Sequence, residues 1–208
     1  MGYSFHPEKF SKNEGYYEMA EEEKISEDIS LIKKLANYII ITLHWGEEYV
    51  PQPAPWQIEF AHKLIDRGAD IILGHHPHVL QPIEVYKGKL ITYSLGNFVS
   101  DMCQELARKT LILEIKLFDG KITYEPIPCY INENYQAVFS KSYSLSNWLP
   151  KTLEQISNKE YQQRVRESIR DFRREFYRFL TKNFYKYPSR CLFEIFLDFL
   201  KRRLCKIY

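Results

Sequence analysis

Two short runs rich in β-branched residues, Tyr38 to Leu43 and Asp70 to Leu73, flank a segment of helical periodicity, and each leads into histidine. A continuous run of this kind suits a strand covered on both faces, as in a parallel or mixed sheet. Between the runs, Pro51, Pro53 and Pro55 stiffen a loop, and Pro55 fits the first turn of a helix, where its missing N–H is not needed. Trp56, Phe60, Ala61, Leu64 and Ile65 then mark one helix face, and Gly68 suits its terminus. Strand, helix, strand predicts a βαβ-like unit and hence an α/β fold, in which ligand sites gather beyond the C-terminal strand ends. His44 stands at one such end and the run Gly74-His75-His76-Pro77-His78 at the other.

The remaining chain divides by pattern. Residues 1 to 18 lack periodicity and read as an irregular lead-in, whereas Ile29, Ile32, Leu35 and Ala36 predict a helix from Ser26 to near Asn37. Ile83 to Tyr86 and Leu90 to Val99, joined at Lys87-Gly88, predict a hairpin; Leu111 to Phe118 and Ile122 to Pro128, joined at Asp119-Gly120, predict another. Beyond about residue 140 the character changes. Val165, Ile169, Phe172, Phe176 and Phe179 recur at alternating steps of four and three, which predicts a seam-forming helix broken by Pro188, with a last apolar helix from about Ser189 to Ile207. The expected division is therefore 1–140 for the α/β part and 141–208 for a basic, aromatic-rich helical extension.

Five of the six histidines lie between positions 44 and 78. Neutral imidazole is a ligand for zinc, iron and manganese, and histidines one residue apart at a strand end can turn toward one ion or two adjacent ones. Pro77 stiffens the backbone between two such candidates. Glu48 is a loop carboxylate that could orient a histidine if it points inward. In Ser94-Leu95-Gly96-Asn97-Phe98, Gly allows close backbone approach and Asn97 offers both donor and acceptor, so the segment reads as either a site loop or a plain turn. His62, on the helix face with Trp56 and Glu59, reads as structural, and Trp45 as packing.

Charge and cysteine usage exclude several classes. Residues 1–150 carry 14 basic and 20 acidic side chains and residues 151–208 carry 15 and 7, yet the arginines of the tail alternate with acids along a Phe-seamed helix. A solvated helix face is thus expected rather than a nucleic-acid surface. Cys103, Cys129, Cys191 and Cys205 form no C-x-x-C pair, which predicts free thiols. No phosphate-binding glycine loop or G-x-S-x-G elbow occurs. The N-terminal residues lack the basic-then-apolar order of a signal peptide, and Cys191 to Leu200 is too short to span a bilayer, so a soluble or peripheral chain is expected.

The segment HWGEEYVPQPAPWQIEFAHKLIDRGADIILGHHPHVLQPIEVYKGKLITYSLGNFVSD, residues 44–101, closely resembles the CapA-type proteins of poly-gamma-glutamate and capsule biosynthesis, relatives of the calcineurin-like metallophosphoesterases. HWG-x-E-Y, the Asp66-Arg67-Gly68-Ala69-Asp70 helix exit, GHHPHVLQ and YSLGNF occur in the family's order. The resemblance implies a partial calcineurin-like αββα sandwich. It also implies a divalent metal site, two ions when complete, of manganese, iron or zinc, with His44, His76 and His78 as ligands. His75 is the alternative register and the candidate general acid of phosphoester hydrolysis, while Glu48 and Asn97 support the site.

The superfamily's early motifs, D-x-H, G-D-x-x-D or N, and G-N-H, precede its HWG element, and no D-x-H or Gly-Asp pair occurs in this sequence. The chain is therefore expected to correspond to the C-terminal part of such a protein, with a possible partner half encoded upstream. Two dications at roughly 3.5–4 Å repel unless anionic ligands intervene, so weak metal binding and little hydrolysis are expected of this half alone. Absent strands would leave apolar surface uncovered. The resemblance further implies an anionic polymer or phosphoester substrate and cell-envelope association, with residues 151–208 docking a protein or membrane surface.

Overall fold

The computed structural model describes residues 1–6, 18–139, 144, 148–149, 153–186, 188–189 and 191–193. In chain order its elements are β1 (Gly2–Ser4), β2 (Glu18–Met19), α1 (Glu22–Ile32), β3 (Ile40–His44), α2 (Pro55–Arg67), β4 (Ile71–His75), β5 (Ile83–Tyr86) and β6 (Lys89–Thr92). Then follow α3 (Glu105–Arg108), β7 (Lys109–Phe118), β8 (Lys121–Ile131), β9 (Ala137–Phe139) and α4 (Asn158–Asn183), which a 3-10 turn at Phe184–Lys186 extends. The first six strands form one sheet in the order β2-β1-β3-β4-β6-β5, and β7, β8 and β9 form a second, antiparallel one. All pairings in the larger sheet are parallel except β5 with β6. The α/β class expected from the sequence is what the chain adopts.

One face of the larger sheet carries the core. Tyr3, Leu43, Ile41, Ile72 and Ile91 lie on it by register, and Ile25 and Ile29 of α1 and Phe60, Ala61, Leu64 and Ile65 of α2 close over them. Gly68, at φ 119°, ends α2 in the left-handed region, and Asp70 accepts the Ile39 N–H at 2.8 Å, fixing the turn into β4. Trp45 is fully buried and donates through Nε1 to the Tyr93 carbonyl at 3.0 Å, with its ring stacked on the Tyr93 ring. That contact exists because residue 74 is glycine: a Cβ there would overlap the Tyr93 carbonyl and press on Trp45 Nε1. On the sheet's other face Ile40 is 38% exposed, and at the β7–β8 turn Phe118 is 80% exposed.

Several boundaries differ from the expected ones, each for a physical reason. Residues 2–4, expected to be irregular, form β1, a strand too short to show alternation and held by pairing with both β2 and β3. α1 starts at Glu22 rather than Ser26, its acidic first turn complementing the helix dipole and Glu22 accepting from Arg67 at 2.7 Å. It ends at Ile32, and Leu35, 86% exposed, has nothing to pack against. β6 stops at Thr92 instead of reaching Val99; beyond it the pairing continues irregularly, through the Tyr93 N–H to the Pro82 carbonyl, the Gln81 N–H to the Ser94 carbonyl and an isolated Leu80–Leu95 bridge. The short helix α3 had no sequence signal.

β7 and β8 outrun the predicted hairpin, and Lys87-Gly88 and Asp119-Gly120 turn with positive φ at both residues, as two-residue hairpin loops require. The Phe-seamed helix is α4, capped by Ser157, whose hydroxyl accepts from Glu160 N at 3.2 Å. Ser189 and Cys191 to Phe193, at the start of the helix expected over 189–207, are helical, while the rest of that helix, most of the 1–18 lead-in and Cys205 lie outside the described residues. Cys103, Cys129 and Cys191 are free thiols. Among the described residues no helix is long and apolar enough to cross a membrane. His62 bonds Glu84 through Nε2 at 2.9 Å and stacks on Tyr86, while Tyr93 donates to the same carboxylate at 2.7 Å. These contacts tie α2 to the β5–β6 hairpin.

Candidate metal centre

Three adjacent parallel strands each deliver a histidine at or just past the C-terminal end. β3 ends at His44, β4 runs through His75 into His76, and His6 stands two residues beyond β1. The His44 and His75 backbones are register partners, which sets both strand ends at one level of the sheet. The chain then leaves β4 abruptly: His76 has φ 102° and His78 φ 59°, both in the region that glycine favours. Conformations of this kind cost of order 1–3 kcal/mol and concentrate at functional sites. Across the site, Tyr49 has φ 67° and its N–H donates to the Pro77 carbonyl at 2.8 Å, so the loop after β3 is bonded to the loop after β4.

This backbone gathers four imidazoles. His76 Nδ1 lies 3.0 Å from His44 Nε2, the His6 ring stacks on His76 with centroids 4.0 Å apart, and His78 lies 6.0 Å from His76 by centroid. Ligand atoms of His76, His78 and Glu48 all fall within 4.8 Å of one another. The donor set fits a borderline divalent ion. Neutral nitrogens and one carboxylate are what zinc, iron or manganese accept, and two ligands about 2.1 Å from one tetrahedral ion stand roughly 3.4 Å apart. Burial, reinforced by His6, His44 and His78, pushes His76 down to about 3, so this imidazole is neutral and available for coordination at physiological pH.

Asn97 acts on His78. Its Nδ2 donates to the carbonyls of His78 and Ala107, both at 3.2 Å, which leaves Oδ1 as an acceptor facing His78 Nδ1 at 2.9 Å. His78 therefore donates through Nδ1 and keeps the Nε2 lone pair for a ligand. Asn97→Ala is expected to weaken metal binding about 10- to 100-fold while the fold persists, checked by titration with zinc against a chromophoric chelator. An affinity unchanged from the parent chain would show that His78 needs no such orientation.

His75 stands apart from these contacts. His76, not His75, shares the ring cluster and the carboxylate. The His75 residue is exposed, yet partial desolvation by neighbouring protein atoms holds its imidazole below the ordinary range. Glu48, a loop carboxylate by sequence, is exposed but belongs to the ligand group. His6 had no signal in the sequence beyond its place after a three-residue strand, the same place that His44 and His76 occupy after theirs.

Residues 3–102, which contain the whole cluster, match the family described as bacterial capsule synthesis protein PGA_cap. The chain is 40% identical over 131 residues to the PGA biosynthesis protein CapA of Bacillus subtilis, an alignment covering 62% of this chain and 34% of that protein. Against the capsule biosynthesis protein CapA of Bacillus anthracis it is 43% identical over 99 residues, 47% of this chain and 24% of the relative. A probable polyglutamine synthesis accessory protein of Mycobacterium tuberculosis is 29% identical over 136 residues, 61% of this chain and 35% of its own length. The chain thus spans about a third or less of these relatives. Over residues 3–102, with the histidine cluster at its centre, it matches the bacterial capsule synthesis protein PGA_cap family and is similar to the CapA proteins.

Proposed function

We propose that this chain serves capsule or exopolymer biosynthesis of the poly-gamma-glutamate type as a metal-binding part of a metallophosphoesterase-like αββα fold. The observation that carries the reading is the convergence of Glu48, His76 and His78 within 4.8 Å, beside His44, at the C-terminal edge of a parallel sheet. The CapA relatives named above support the biological role. A divalent ion held there would supply Lewis-acid polarisation of a phosphoryl oxygen. The chain's own residues do the rest: His44 and His76 present imidazole nitrogens, Asn97 holds His78 in one tautomer, and Glu48 contributes negative charge. Weakly bound zinc or manganese, with slow turnover of bis(p-nitrophenyl) phosphate that disappears in His78→Ala, is the expected result. Absence of bound metal at millimolar concentrations in both cases would sink it.

A second reading, a polymer-handling subunit without catalysis, has its own support in α4. Arg166, Arg170, Arg173, Arg174 and Arg178 line a surface groove of about 890 Å³ along that helix, an electropositive row suited to an anionic chain, an envelope surface or an acidic protein partner. Metal binding without turnover, together with salt-sensitive retention on immobilised polyglutamate, selects this reading over the enzymatic one.

A further inference from the structure

We propose that α4 is part of the metal centre, and that Phe172 is a positioning residue for Glu48 acting through Tyr49; the proposal rests on the metal-binding reading above. Glu48 is the sole anionic member of the ligand group found among the described residues, and it lies outside any helix or strand. A loop carboxylate left to itself samples many rotamers, and restricting it on binding costs entropy that a prearranged site avoids. Its neighbour Tyr49 is held at φ 67°, a conformation that costs an L-residue about 1–2 kcal/mol and persists only where the surroundings impose it.

Two contacts impose it. The Tyr49 N–H bonds Pro77, inside the His76–His78 turn, and the Tyr49 ring lies face to face with Phe172, centroids 3.5 Å apart and planes 12° from parallel. The same ring also neighbours His78, with centroids 6.1 Å apart and planes 29° from parallel. Tyr49 is thus a spacer between α4 and a candidate ligand, with Glu48 directly attached to it. Phe172 is itself fixed, because its carbonyl accepts from Gln104 Nε2 at 3.4 Å and Glu175, one turn on, accepts the Glu105 N–H at 3.3 Å. Tyr161 and Val165 dock the start of the helix on Val50 and Ala54 of the same loop that carries Glu48. A cleft of about 550 Å³ remains between Glu48 and Tyr49 on one wall and Phe172, Arg173 and Phe176 on the other. The extension helix therefore sets the position of a ligand it does not contain.

The test is a titration of the full chain with Co2+, followed by visible ligand-field absorption, which reports both affinity and coordination geometry. Phe172→Leu keeps apolar volume but removes the stack, Phe172→Tyr retains it, and Ile29→Val loosens the buried core on α1 without touching α4 or the Glu48 loop. Phe172→Leu is expected to weaken Co2+ binding about tenfold and alter the band. Phe172→Tyr should recover affinity to within a factor of two or three. Ile29→Val should lower the melting temperature and leave the Co2+ affinity of the folded protein unchanged. Wild-type affinity and spectrum in Phe172→Leu, or an equal loss in Ile29→Val, would overturn the positioning role. A parent chain that gives no Co2+ band fails at the earlier step, refuting the metal reading and this proposal with it.

Discussion

His76→Gly is expected to lose metal affinity by at least about 100-fold and yet to be more stable than His76→Ala by about 1–2 kcal/mol. The first effect follows from position: His76 both contacts His44 and shares the Glu48–His78 group, so its removal leaves neither set complete. The second follows from the backbone. At φ 102° any Cβ is strained and glycine is not, so the two truncations remove the same imidazole but differ in relief of strain. Isothermal titration with zinc and urea unfolding of both variants separate the effects. Equal stability of the two would mean that the loop relaxes once the imidazole is gone; retained affinity would mean that the site is built elsewhere.

Gly74→Ala should be the most damaging conservative substitution in the sheet, costing about 3 kcal/mol or more. Its backbone needs no glycine conformation; its surroundings do. The added methyl would overlap the Tyr93 carbonyl, which is backbone and cannot rotate away, and would break the Trp45–Tyr93 hydrogen bond in the fully buried core. Gly88→Ala is the control, because φ is 76° there and nothing lies within 4 Å, leaving only backbone strain of about 1 kcal/mol. In thermal melts Gly74→Ala should fall by roughly 6–12 °C and Gly88→Ala by about a third of that. A loss at Gly74 no larger than that at Gly88 would show that β4 and the segment after β6 can part without cost.

What the sequence discloses depends on whether the cause is local. The β3 and β4 runs announce themselves as continuous β-branched stretches, and α2 as an apolar face recurring at the helical period. His44 and His75 belong to those strands but have no strand preference, so the boundaries fell short of them. His6 was invisible for a different reason: β1 spans three residues and owes its existence to partners far along the chain. Asn97 was legible only as a donor and acceptor on a turn; that it orients His78 depends on two carbonyls that tertiary structure supplies. The seam of α4 predicted a helix with something to pack on. No periodicity could say that the something was Tyr49, because a seam specifies its own face and not its partner.

The order of strands in the larger sheet carries a kinetic consequence. Apart from the β5–β6 hairpin, its pairings join segments separated by long stretches of chain, from Gly2 with Thr42 to Ile71 with Leu90. Such non-local pairings close slowly, since the loop entropy is spent before contacts compensate. His6, His44 and His76 come from three different strands of that set, so the cluster assembles only after β1, β3 and β4 have found one another. On the metal-binding reading, cation capture is therefore expected late in folding, and the appearance of a ligand-field band after dilution from denaturant would time the closing of the sheet.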